Sequence, residues 1–188
     1  GLSNLLLGIL FSVIPLAQIM PIVGRMFITR IGNVRSMVLF WSGRYIMAAP
    51  LLAVALLVSN GKHVAAVVVL FIGVLGFNLM RGIGMAGMQP LIGYVTTTED
   101  RGHFMSRMQL IIHATIMTTG LLMSLVLNRE SPLPVFTAIL AVGLVAGVIG
   151  TFHLLRLPEL PREKDTEPLL RSVGEALRAG TMRHLLKA

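Results

Sequence analysis

Arg81 is the residue with the clearest capacity for chemistry, because it lies in the otherwise uncharged, glycine-rich stretch "FNLMRGIGMAGMQP". A charged side chain at mid-bilayer costs at least about 2.5–3.5 kcal/mol, so such residues usually face a cavity or a partner. Asn78 and Gln89 share a face with Arg81 if the stretch is one helix. A guanidinium and two amides on one face are suited to binding an anionic solute. The alternatives are that Arg81 pairs with a coupling carboxylate from another part of the protein, hydrogen-bonds backbone carbonyls near the glycines, or extends to the lipid headgroups.

Two further polar residues lie within apolar segments. Arg44 stands beside Trp41 and Tyr45, about 12 Å from the inner end of its segment, and either lines a substrate site or reaches toward the headgroups or a neighbouring helix. His113 could carry a proton, because the pKa of histidine lies near physiological pH, or it could bond a neighbouring helix. We predict that the substrate-binding residues are Arg81, Asn78, Gln89, Arg44 and His113.

The patterns expected of an enzyme or a metal site do not occur in the sequence. The chain has no cysteine, and its five histidines lack metal-ligand spacing. No apolar segment carries Asp or Glu, so an intramembrane acid pair is excluded. Motifs for a nucleophilic serine, a zinc protease and a phosphate-binding loop are also absent. We therefore predict no enzymatic activity, no cofactor and no metal.

The composition is that of a membrane protein. The 188 residues are 55% hydrophobic and 13% charged, with a mean hydropathy of +0.82, whereas roughly a quarter of the residues are charged in a soluble domain. The net charge is +8, but the basic residues flank apolar runs and do not form one stripe. Anionic lipid explains this pattern better than nucleic acid. We predict an integral multi-pass protein of a plasma or bacterial inner membrane.

Five apolar segments are long enough to cross a bilayer, which takes about 20 helical residues. The third reaches about 50 Å if wholly helical, and its glycines and Pro90 predict a bend, a tilt or a protruding end. The sequence thus predicts an all-α membrane helix bundle. Its predicted spans are Leu2 to Val23, Ser36 to Val58, His63 to near Glu99, Phe104 to Leu127 and Leu133 to Leu157.

The basic residues also predict an orientation. Twelve of the sixteen Lys and Arg residues fall in alternate connections and the tail, and only Lys62 and Arg129 fall on the opposite side. By the positive-inside rule the first group is cytoplasmic. The chain would then begin outside and end inside.

The chain divides into two regions, a transmembrane bundle at 1–157 and a tail at 158–188. The tail opens with the Pro- and charge-rich linker "LPELPREKDTEP". From Pro168, apolar residues recur at helical spacing and predict a cytoplasmic amphipathic helix that ends near Gly180. The remaining "TMRHLLKA" is typical of the entry to a further span.

Two loops resemble signatures of the major facilitator superfamily. The first is "GRMFITRIGNVRS", in which Thr29, Arg30 and Gly32 match an Asp-Arg-x-Gly pattern with threonine for aspartate, and Arg35 matches a later basic residue. The second is "TEDRGHFMSR", similar to the loop between the family's fourth and fifth helices. Its matching residues are Asp100, Arg101 and Gly102.

The resemblance covers nearly the whole chain and implies helices two to six, the central loop and the start of helix seven. It implies a secondary active transporter that moves a small solute by alternating access, either alone or together with a proton or another coupling ion. Its first loop would stabilise one conformation, and a second half of the same protein would complete the site. The alternative is a non-transporting membrane scaffold or sensor whose basic cytoplasmic tail binds a partner.

Overall fold

The structure is a computed structural model that describes residues 4–127 and 132–161. The described residues form helices joined by short connections, with no strand among them. A 3₁₀ turn at Ala49–Ala53 joins α3 to α4. The helices are α1 (Asn4–Ala17), α2 (Pro21–Ile31), α3 (Asn33–Ala48), α4 (Val54–Ser59), α5 (His63–Met85), α6 (Met88–Val95), α7 (Arg101–Val126) and α8 (Leu133–Leu154).

Three helical segments are interrupted near a proline. Proline has no N–H and cannot donate to the carbonyl four residues earlier. Before Pro21, the Met20 N–H instead donates to the Ala17 carbonyl at 3.3 Å, and α1 ends. Pro50 lies in the 3₁₀ turn between α3 and α4, and Pro90 follows the Ala86–Gly87 break between α5 and α6. The three interruptions therefore occur where a proline lacks the N–H group that a continuous α-helix requires.

Helix α5 is the centre of the packing. It lies against α1, α2, α3 and α4, and α8 packs on the other side of α3. A small core at one end of the bundle combines Val34 and Met37 of α3 with Leu91 of α6. Leu157 and Leu160, which follow α8, pack against this core. The chain after the last helix thus returns to the start of α3.

The described residues contain four helical segments that are long and apolar enough to cross a membrane: 33–59, 63–95, 101–126 and 133–154. Their surfaces are apolar, and side chains such as Leu125 (82% exposed) and Leu110 (72% exposed) are not covered by residues 4–127 or 132–161. Exposed apolar surface on this scale is typical of a helix that contacts lipid or a partner.

The predicted all-helical fold is confirmed, whereas the number of spans is not. The segment predicted as the first span is divided into α1, of 14 residues, and α2, of 11 residues. The predicted amphipathic helix after Pro168 and the start of a further span lie outside the described residues, as do the predicted tail's residues 162–188.

Candidate functional site

The break between α1 and α2 lies across α5 immediately after Arg81. A Cβ atom on Gly82 would stand 2.8 Å from the Cβ atom of Met20 and would overlap the Ala17 carbonyl oxygen. A Cβ atom on Gly24 would lie 2.5 Å from the Cβ atom of Ala86. Only glycine permits this close approach of the two backbones. Arg81 therefore stands at the level where α1 gives way to α2.

Arg81 itself is exposed and makes no hydrogen bond or ion pair with residues 4–127 or 132–161. Asn78, one turn earlier, is buried, and its amide donates to the Val74 carbonyl of its own helix at 2.9 Å. Gln89 is exposed but lies beyond the Ala86–Gly87 break. The predicted polar face is consequently divided between two helices, with Asn78 and Arg81 on α5 and Gln89 on α6.

The break between α5 and α6 is fixed by Asn33 at the start of α3. The Asn33 side-chain amide donates to the Gly87 carbonyl at 3.0 Å, and Asn33 is only 4% exposed. A Cβ atom on Gly87 would lie 2.7 Å from the Met37 sulfur. The Asn33 Oδ1 atom is buried without a hydrogen-bond partner in the described structure. The interruption is thus held by a buried hydrogen bond that spans two helices.

Arg44 lies in an aromatic cage between α3 and α5. The carbon at the centre of its guanidinium is 4.7 Å from the ring centroid of Trp41, 4.6 Å from that of Tyr45 and 5.7 Å from that of Phe77. Its Nη2 donates to the Tyr45 hydroxyl. Phe77 precedes Arg81 by one helical turn, or about 6 Å. Both arginines of the apolar segments therefore lie near the same part of α5.

His113 is not brought to this region. Its Nδ1–H donates to the Gln109 carbonyl of the same helix at 2.7 Å. Its helix, α7, has no buried residue and makes no substantial contact with the other described helices. Within the described part of the chain, His113 therefore does not share a site with Arg44 and Arg81.

The predicted conformational loop forms the junction of α2 and α3. Gly32 has a φ of 101°, a conformation that glycine adopts far more readily than other residues, and it separates the two helices. Thr29 donates to the Met26 carbonyl at 2.9 Å, so its hydroxyl is used within α2. Arg30 and Arg35 are exposed. The junction leaves the first N–H groups of α3 open to an acceptor.

Glu159 supplies that acceptor. Its carboxylate accepts hydrogen bonds from the N–H of Val34 at 2.9 Å and from the N–H of Arg35 at 3.1 Å. A carboxylate at a helix N-terminus satisfies unpaired donors and the positive end of the helix dipole. A Cβ atom on Gly32 would stand 2.8 Å from the Glu159 carboxylate, so glycine also makes room for it.

Glu159 and Asn33 are absent from the sequence-based prediction. Glu159 binds a helix that precedes it by 125 residues, and no local pattern connects the two. The only sequence signal is an acidic residue between two prolines, directly after the last apolar segment. Such a residue is exposed by default, and its partner becomes evident only in the folded chain.

The second predicted loop forms a compact turn between α6 and α7. The Thr97 hydroxyl donates to Asp100 Oδ2 at 2.8 Å, and the Asp100 N–H donates back to the Thr97 oxygen at 3.2 Å. Arg101 donates to the Gly93 carbonyl at 3.5 Å, at the end of α6. Gly102 has open space around it. These contacts fix the direction in which α7 begins.

The charge distribution gives the site its electrostatic character. The acidic residues of the described chain are Glu99, Asp100 and Glu159, and all three lie outside the four apolar segments. Arg44 and Arg81 consequently have no acidic counter-charge within those segments. The described residues also contain no group of acidic and histidine side chains able to hold a metal ion. The region is suited to an anionic ligand.

No family model, curated protein or solved structure matches this chain. The similarity of its two loops to the major facilitator superfamily therefore stays a prediction that rests on the motif residues themselves.

Proposed function

We propose that the chain is part of a secondary active transporter that moves a small anionic solute by alternating access. The observation that carries this proposal is the position, beside interrupted helices, of two arginines that have no acidic partner within the four apolar segments of the described residues. Transporters bind solutes near the bilayer midplane, where helices are discontinuous and can change their angle. Arg81 adjoins the α1–α2 break, and the α5–α6 break follows six residues later.

The proposed cytoplasmic side is the end of the bundle that holds the loop between α2 and α3. There Glu159 connects the chain after α8 to α3, and Asn33 connects α3 to the α5–α6 break. In this proposal the two contacts stabilise one conformation and separate in the other. Thr29, Arg30, Gly32 and Arg35 then belong to the loop that moves, with Glu159 as its acidic partner.

A membrane scaffold or sensor is the competing function. A scaffold would bury its intramembrane polar groups against another helix, because each must be satisfied in lipid. The exposure of Arg81 supports a transport path instead. This proposal requires four partners: the lipid bilayer, a solute, a coupling ion and a second half of the transporter. It also includes five spans and a cytoplasmic tail.

The test is uptake into liposomes that contain the product of the complete open reading frame. Labelled amino acids, sugar phosphates and organic anions are offered, and saturable uptake above that of protein-free liposomes is expected for at least one class. Arg107→Gln, at the exposed start of α7, is the control for substitutions of Arg81, because it removes one positive charge outside the site. A reading frame that adds no further spans, together with the absence of saturable uptake, would favour the scaffold.

A further inference from the structure

An apolar cavity lies between α3 and α8. Its lining includes Val38, Ser42 and Tyr45 of α3 and Val148 and Phe152 of α8. The cavity has a volume of about 100 Å³, which is less than the roughly 150 Å³ that holds benzene. The Phe152 side chain is exposed, so part of the lining faces outward from the bundle. The cavity is therefore suited to a few methylene groups of a longer molecule that reaches it from outside.

The cavity begins at the end of both helices. Helix α8 has 22 residues and is about 33 Å long, which matches a hydrocarbon core of about 30 Å. Leu155 lines the cavity and directly follows α8, and Val38 lines it from the second turn of α3. The cavity therefore begins at the depth where the apolar part of a bilayer meets its headgroups.

Two arginines stand at this end of the cavity. Arg35 precedes Val38 by three residues and Ser42 by seven, so it shares a face of α3 with the cavity lining. Arg156 is the second residue after α8. Glu159 places the two near each other, because its carboxylate accepts from the Arg35 N–H at 3.1 Å. Glu159 follows Arg156 by three residues, and three residues of chain span at most about 11 Å.

The charge at this end is positive. The side chains of Arg35 and Arg156 are exposed and make no hydrogen bond or ion pair with residues 4–127 or 132–161. Residues 30–35 and 155–161 together contain three arginines and one acid, and that acid, Glu159, is bound by backbone N–H groups of α3. Basic residues between membrane helices at headgroup depth attract anionic lipid. Guanidinium groups also match the oxygens of a phosphate.

We propose that this end of the α3–α8 interface binds one anionic phospholipid, with its phosphate at Arg35 and Arg156 and one acyl chain in the cavity. The two features select the occupant together. A neutral lipid would use the cavity without the arginines, and a free phosphate would use the arginines without the cavity. The proposal goes beyond the transport function and holds whether or not the chain moves a solute.

The measurement is native mass spectrometry of the full chain, released from detergent after titration with phosphatidylglycerol or with phosphatidylcholine of the same acyl chains. One phosphatidylglycerol should be retained saturably, with an affinity about tenfold or more above that of phosphatidylcholine. Replacement of both Arg35 and Arg156 by glutamine should remove this preference. Arg107→Gln, an exposed arginine near the start of α7, is the matched control and should bind as wild type does.

A second pair of variants tests the cavity without changing the arginines. Ser42→Leu fills the cavity and should weaken phosphatidylglycerol binding, whereas Ser106→Leu on exposed α7 should leave it unchanged. Circular dichroism checks that each variant is folded. Glycerol 3-phosphate and inorganic phosphate test the same point on wild-type protein, because they carry the phosphate without an acyl chain. Neither should displace phosphatidylglycerol.

Three results would each overturn the lipid site. Equal retention of phosphatidylglycerol and phosphatidylcholine would mean that the arginines do not select the lipid, as would a glutamine double variant that binds as tightly as Arg107→Gln. Displacement of phosphatidylglycerol by inorganic phosphate would show a site for a free anion. Equal binding by folded Ser42→Leu and Ser106→Leu would show that no acyl chain enters the cavity.

Discussion

Replacement of Gly82 by alanine tests the contact that places the α1–α2 break beside Arg81. The new Cβ atom would stand 2.8 Å from the Cβ atom of Met20, where ordinary contact begins at 3.4 Å. The two atoms must therefore separate by about 0.6 Å, and the Ala17 carbonyl must move as well. Because that neighbour is backbone rather than a flexible side chain, α1 has to shift as a unit.

The expected loss of stability follows from two opposing terms. Overpacking of a tight contact costs about 1–3 kcal/mol, and alanine in a helix gains up to about 1 kcal/mol over glycine. The net effect is a destabilisation of about 1–2 kcal/mol. Gly120→Ala is the matched control, because nothing lies within 4 Å of its added Cβ atom and only the helix gain remains.

The assay is thermal unfolding of both variants in the same detergent. A difference of about 2 kcal/mol between them corresponds to roughly 4–8 °C in a chain of this size. We expect Gly82→Ala to melt below wild type and Gly120→Ala at or above it. Equal melting temperatures for the two variants would mean that the α1–α2 break does not lie on α5, and the assignment of Arg81 to that junction would be lost.

Three further predictions concern the cap, the arginine and the topology. Glu159→Ala should destabilise the chain by about 1–2 kcal/mol, because two charge-assisted hydrogen bonds to the N-terminus of α3 are lost. Glu159→Gln should destabilise it by about half as much. Melting curves equal to wild type for both variants would contradict the role of Glu159 as the cap of α3. Arg81→Ala should abolish uptake without affecting membrane insertion, and Arg81→Lys should retain part of it; uptake at the wild-type rate for Arg81→Ala would assign the arginine to the headgroups. Single cysteines at Asn60 and Asp100 should react with impermeant thiol reagents from opposite sides of the membrane, and reaction from the same side would contradict the predicted orientation.

The sequence was sufficient to predict helices and their approximate positions, because long apolar runs bounded by charge determine both. It did not predict the division of the first segment. Pro21 supplied the signal, but a proline in an apolar run is compatible with a kinked continuous helix as well as with a break. The contact of Gly82 with Met20 settles that choice, and it depends on where two distant segments meet.

The candidate site was predicted only in part. Arg44 and Arg81 were evident because charge in an apolar segment is costly wherever the fold places it. The aromatic cage combines Trp41 and Tyr45, which are local to Arg44, with Phe77 from another helix. Glu159 was missed for the same reason, since its partners precede it by more than a hundred residues.

The most direct test of the transport proposal is the accessibility of one cysteine from both sides of the membrane. Met85 lies one turn after Arg81 and is 41% exposed, and these 188 residues contain no cysteine, so Met85→Cys introduces the one thiol among them. Any cysteine elsewhere in the complete reading frame is replaced by serine first. Alternating access predicts that a membrane-impermeant thiol reagent labels this cysteine from either side of sealed vesicles, at rates that solute shifts in opposite directions. Labelling from one side only, or from neither, would contradict the transporter and favour a static scaffold.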